Sequence, residues 1–241
     1  RHERLIRGSH MAAFFIPGDD GTLRAISTPL GRGLLAVAIL LAVVPSVTAR
    51  KKPPPPYRIV PGPYVKKAPP PAERPLPSRF VLLGLTVVLE YLEPPDRFKF
   101  IAGIDPKLGD PFGVSPGRPQ RFLAFRVTFQ NASAGDVVFQ AGNVILATDR
   151  KEHRFPVDLT DMYRIASTRK VKNPEDAMNR IAPIIFDSST VIRQGDEVTR
   201  LLVFRQLPEK WKEFGLHFSF IQINSETHTL SFSFHKHILK D

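Results

Sequence analysis

The chain contains no cysteine in 241 residues, which excludes disulfides, thiol catalysis, thiolate metal sites and a lipidated N-terminal cysteine. It holds one tryptophan and three methionines. It carries no HExxH pair, no phosphate-binding glycine loop and no dinucleotide fingerprint, so the common signatures of zinc hydrolases and nucleotide enzymes are missing. No apolar run approaches the roughly 20 residues of a spanning helix. The longest uninterrupted one is Leu34 to Val44.

What the chain has in excess is proline and positive charge, with 24 prolines and a formal charge of +11. The charge is uneven: residues 50 to 79 carry eight Lys/Arg against one Glu, whereas residues 80 to 241 carry 21 Lys/Arg against 19 Asp/Glu. A nearly neutral domain behind a basic arm argues against specific nucleic-acid recognition. It fits a tether near anionic polymers or lipid.

The N-terminal third divides into three pieces. Residues 1 to 10 precede Met11, and Arg7-Gly8-Ser9-His10-Met11 resembles a tag remnant or an over-long reading frame. Residues 11 to 49 have the form of a signal peptide: Arg24 and Arg32, the apolar run from Leu34, then Val47 and Ala49 as the small residues of a cleavage site. The expected location is therefore periplasmic or secreted. Arg50, Lys51 and Lys52 follow the site at once and oppose translocation, which leaves an uncleaved membrane anchor, or a mis-assigned start and a cytoplasmic domain, as alternatives. Residues 50 to 79 read as a proline-rich basic linker, with 11 prolines between 51 and 78 favouring an extended polyproline II stalk. It is expected to act as a plain spacer, with a docking segment for an aromatic-lined groove as the alternative, and its basic residues could bring it near a membrane or a polyanionic wall.

Residues 80 to 241 are expected to form one antiparallel β domain. Its centre is Phe122 to Asn131, where Leu123, Phe125, Val127 and Phe129 alternate with Ala124, Arg126, Thr128 and Gln130. Phe80 to Leu92 predicts a strand or bent strand pair with Leu85, Val87, Leu89 and Tyr91 on one face and a bulge at Gly84. Glu93 to Gln120 reads as a long loop with a short strand at Phe98 to Ile101. Strands are expected at Val137 to Phe139, Asn143 to Thr148 and His153 to Val157. Asp158 begins a short helix, and Asn173-Pro174-Glu175-Asp176 a second one that ends at Pro183, both in a connection crossing between sheets. Val198 to Leu207 is apolar on both faces and predicts a central, covered strand. Leu216 to Ile223 and His228 to Ile238 form a hairpin in which Leu230, Phe232 and Phe234 pair with Phe220, Phe218 and Leu216 around Asn224 to Glu226.

The series FRVTFQN, NVILATDRKEHRFPV and STVIRQGDEVTRLLVFRQLP, within Arg121 to Pro208, resembles the telokin-like immunoglobulin-fold domains of secreted bacterial proteins of unknown function. The resemblance implies an immunoglobulin-like antiparallel β-sandwich with one or two short helices in a crossover. Gln194-Gly195-Asp196-Glu197 stands where that family has a Pro-Gly-Glu turn, and the Tyr163 to Ile185 insertion is longer than the family's.

Three groupings invite a chemical reading. His235 and His237, two apart on the outward face, with His217 diagonal to His235 in the expected register, form a candidate zinc or copper site. Arg164, Arg169, Lys170 and Lys172 form a candidate polyanion-binding cluster, to be weighed against a solvated charge run. Ser115, in the GVSPG of Gly113 to Gly117, matches a nucleophile pattern without its strand-to-helix setting. The acidic residues Asp96, Asp105 and Asp110 lack the spacing of a calcium loop.

The expectation is a non-catalytic binding or scaffolding module of the bacterial envelope, without a cofactor, whose partner is an envelope protein or a polyanionic wall component. The alternative is a metal-dependent or hydrolytic envelope enzyme using the outward histidine face.

Overall fold

The computed structural model describes residues 57–65, 75–113, 121–168, 172–208 and 210–239, all within the compact unit Lys51–Asp241. Residues 1 to 49, read as leader and signal, lie outside the described residues, as does Ser115.

The described fold is mostly β, with strands β1 (Tyr57–Pro61), β2 (Ser78–Leu82) and β3 (Leu85–Leu92), helix α1 (Pro94–Ile104), and strands β4 (Phe122–Asn131), β5 (Val137–Gln140), β6 (Val144–Thr148) and β7 (His153–Arg154). Helices α2 (Leu159–Thr168) and α3 (Pro174–Ile181) follow, then β8 (Ser189–Ile192), β9 (Glu197–Arg205), β10 (Glu213–Ile223) and β11 (Glu226–Ile238). The strands form two antiparallel sheets. One has the order β2-β3-β4-β9. The other has seven strands, in the order β1-β11-β10-β5-β8 with β6 and β7 branching from β10.

The alternation in β4 places Leu123, Phe125, Val127 and Phe129 in the core between the sheets, all fully buried. Phe125 meets Phe234 of the opposite sheet at 5.2 Å and Phe214 at 6.0 Å, and Phe139 meets Phe129 at 4.7 Å. These offset and edge contacts suit the quadrupoles of the rings. Val157 and the helices cover the outer face of the smaller sheet. There Ala124, Leu201 and Val203 pack with Ile101 of α1, Met162 of α2 and Ile181 of α3 in a second apolar cluster.

Several expectations are corrected. Tyr57–Pro61, inside the segment read as a spacer, is a strand paired with β11, and Ile59 is buried. Pro61 sits at the end of this edge strand and Pro63 just beyond it, where the missing amide costs no ladder bond. Phe98 to Ile101 is helical, not a strand. Gly84 is not a bulge; Leu83 and Gly84, both with positive φ, form the two-residue turn of a β2–β3 hairpin. A Cβ at Gly84 would lie 2.8 Å from the Ala132 carbonyl oxygen.

Strand β9 is an edge rather than a central strand. Its free edge is occupied by backbone bonds from Val157 to Val203 and from Phe186 to Leu201. The helical connection does not cross between sheets, since β7 and β8 belong to the same one. The helix at Asn173 forms with Pro174 in its first turn, but Asn173 makes no side-chain cap. Arg180 of α3 binds Asp105 at the end of α1, 2.7 Å from Nε to Oδ2, and this bond holds the Asp105 carboxyl below its ordinary pKa.

The terminal hairpin has a different register. Leu230, Phe232 and Phe234 oppose Phe218, Leu216 and Phe214, and the turn is the pair Asn224-Ser225, both with positive φ. A register shift lies between Phe218 and Ile221. It lets Ile221 and Ile223 join the buried face that Phe214, Leu216 and Phe218 begin, while Phe220 turns aside. On the other side of β10 the same break is matched by the turn at Ala141–Asn143, which separates β5 from β6.

Candidate functional site

The sequence candidates separate in space. His217 lies opposite Ser231 and bonds its Oγ through Nδ1 at 2.9 Å. His235 lies opposite Glu213 on one side and Val60 on the other, and its Nδ1 is 2.9 Å from the Gly62 carbonyl oxygen. Four strand positions therefore separate His217 from His235, about 14 Å at the usual rise. His237 lies opposite Arg58. Among the described residues no group of three His, Cys, Asp or Glu could hold a metal ion, so the expected histidine site does not form. The physical reason is the shortened turn and the break in β10, which slide His217 away from its expected neighbours.

Of the basic cluster, Arg169 and Lys170 lie outside the described residues. Lys172 is exposed, just ahead of α3. Arg164 stands in a groove that the sequence pattern does not assemble. The first residues of β4, the end of β9 and the second half of α2 enclose about 480 Å³, with Arg121, Arg164 and Arg205 around it and Phe122 and Ile165 as apolar lining.

Each arginine is placed by an element with a clear local cause. The antiparallel register sets Phe122 opposite Arg205, so the residue before β4 and the last residue of β9 meet at one end of the sheet. Helix α2 is fixed at its start by two carboxylates: Asp158 accepts from the Asp161 amide at 2.7 Å, and Asp187 accepts from the Leu159 amide at 3.1 Å. These bonds satisfy amides that a helix leaves open at its first turn. Met162 and Ala166 then bury the inner face of α2. Arg164 is left toward solvent.

Asp161 stands between two of the guanidiniums, 3.1 Å from Arg164 Nη1 and 3.4 Å from Arg205 Nη2. It orients both but neutralises only one charge. Arg164 and Arg205 remain 70% and 57% exposed, so an arriving anion meets donors that still face water. Guanidinium forks match planar or tetrahedral oxyanions, and the apolar lining suits the uncharged part of such a ligand. The arrangement binds; among its described lining residues it brings no nucleophile beside a base.

Arg121 and Arg205 are invisible as a pair in the sequence because they are 84 positions apart. The signal that finds them is the strand register, in which two arginines flank the paired ends of β4 and β9.

No family model matches the chain, and no curated protein matches it. Among solved structures it is similar to the yjhA protein from Bacillus subtilis, with 12% identity and a TM-score of 0.32 over 60% of this chain and 78% of that one. A likeness at that level carries no argument about function.

Proposed function

We propose that the chain is an exported, non-catalytic binding module of the bacterial envelope, a β-sandwich of immunoglobulin-like type that docks a polyanionic wall component. The observation that carries this reading is the groove lined by Arg121, Arg164 and Arg205 with apolar Phe122 and Ile165, in which Arg164 and Arg205 share one carboxylate, Asp161. Three cations against one anion favour a negatively charged partner, and exposed guanidiniums exchange water for oxyanions at small cost. The signal-like segment and the telokin-like resemblance support an envelope location.

The untagged chain, expressed in its host and fractionated, tests this reading. The expected result is a mature N-terminus at Arg50 outside the cytoplasm, with retention on isolated wall material lowered about tenfold when Arg121, Arg164 and Arg205 are all changed to Gln. Full-length chain in the cytoplasm, or unchanged retention of the triple variant, overturns it.

A further inference from the structure

A second cleft, of about 470 Å³, opens where the β6–β7 turn faces the connection from β9 to β10. Arg150 and Lys210 line it, together with Thr148, Glu152, Pro208 and Trp211. Its one carboxylate is already engaged, since Glu152 lies 3.4 Å from Arg154 Nη2. Arg150 and Lys210 make no ion pair among the described residues. The Thr148 hydroxyl oxygen accepts from the amides of Arg150 and Glu152, which leaves its own hydrogen free to donate. This cleft, like the arginine groove, is rich in donors.

The two clefts share one end of the sandwich. Phe122 and Arg205 are paired there at the start of β4 and the end of β9, and Thr148 and Phe214 at the end of β6 and the start of β10. The connection between them supplies residues to both: Arg205 and Gln206 line the groove, and Pro208, Lys210 and Trp211 line the second cleft. Arg205 and Lys210 are five residues apart, so their Cα atoms lie within about 18 Å of each other. Leu207 is buried and Pro208 exposed, so the stretch between the clefts presents proline to solvent. Glu209, its acidic member, lies outside the described residues.

We infer that the two clefts are consecutive subsites for one flexible, single-chain polyanion with repeated phosphate or carboxylate groups. The inference rests on reading the arginine groove as a polyanion site and adds the length and form of the ligand. Two subsites joined within one ligand act at high effective concentration, so affinity rises with chain length until both are filled and then levels off. A rigid duplex cannot enter two separate clefts of this size, which favours a single chain.

The protein's only tryptophan lines the second cleft, so its fluorescence reports on that subsite. The probes are tripolyphosphate, polyphosphate of about 15 units, poly-glutamate of similar length and a duplex oligonucleotide of matched charge, each titrated against the full chain by calorimetry and Trp211 emission. The expected result is at least about tenfold tighter binding of a long single chain than of tripolyphosphate, with a shift in Trp211 emission. Arg150→Gln with Lys210→Gln removes that advantage and the shift, and leaves tripolyphosphate affinity within about twofold. A length gain with polyphosphate assigns phosphate polymers, and one with poly-glutamate assigns carboxylate polymers; either supports the inference. Affinity independent of length, a gain that survives in the double variant, or equally tight duplex binding overturns it. Absence of binding by every probe sinks the groove reading itself, a result distinct from length-independent binding.

Discussion

Arg97 is fully buried, and its charge is met almost entirely by Asp110. Nε lies 2.9 Å and Nη2 2.8 Å from Oδ2 of Asp110, and Nη2 also donates to the Phe112 carbonyl oxygen at 3.0 Å, while Nη1 has no partner among the described residues. The pair holds the segment after α1 against the outer face of the smaller sheet, where Phe112 packs on Phe122 at 5.8 Å. Removing one member of such a pair leaves a charge in a place that water does not reach. Asp110→Ala is therefore expected to cost about 3–5 kcal/mol of unfolding free energy, whereas an apolar replacement of both residues costs far less. Urea unfolding of the two variants measures the difference. The same pair explains why α1 is unreadable in the sequence. Its buried positions are Arg97 and Ile101, one turn apart, so half of the inward face is a charged residue and the apolar period that reveals a helix is absent. The alternating Phe98 and Phe100 then imitate a strand.

At the scale of elements, legibility follows the apolar pattern. Strands β3, β4, β6 and β9 lie close to where their patterns put them, because β4 and β6 show a period of two and β3 and β9 carry apolar runs that are buried on both faces. The hairpin of β10 and β11 is legible as an element but not in its register, which depends on a turn one residue shorter and on the break after Phe218. The wrong register is what assembles three histidines that do not meet. Strand β1 is hidden for another reason: proline composition says linker, while Ile59 and Tyr57 say core. Tyr57 meets Trp211 edge-on at 5.9 Å and bonds Gln206 through its hydroxyl at 2.9 Å, and Lys236 Nζ lies 4.5 Å from the Tyr57 ring and 4.4 Å from the Trp211 ring. A spacer tolerates truncation at any side chain. Strand β1 does not: Ile59→Ala is expected to lower stability by about 2–5 kcal/mol in chemical denaturation, and an unchanged midpoint would assign the segment to a spacer after all.

At the scale of the whole molecule, two kinds of positive charge do different things. The groove at Arg121, Arg164 and Arg205 is local and geometric, while the charge of residues 50 to 79 is a property of composition, eight Lys/Arg against one Glu. Arg58 is drawn toward Glu93, at 3.8 Å, so the arm's contribution is carried chiefly by Arg50, Lys51, Lys52, Lys66 and Lys67. Charges of this kind act through the field near an anionic surface, at about 1 kcal/mol each, and fade when the Debye length falls from about 10 Å at 0.1 M salt to about 3 Å at 1 M. Changing those five residues to Gln in a chain beginning at Arg50 is expected to lower adsorption to vesicles rich in anionic lipid at least about tenfold in low salt, and to make no difference at about 1 M. The groove variant is expected to behave in the opposite way, keeping vesicle adsorption while losing affinity for the polyanion, because its donors act by fitting an oxyanion rather than by raising the general potential. Sedimentation of both variants with vesicles across a salt series separates the two. Loss of vesicle adsorption in the groove variant would mean that the basic arm and the groove serve one surface, and that the division of roles between them is wrong.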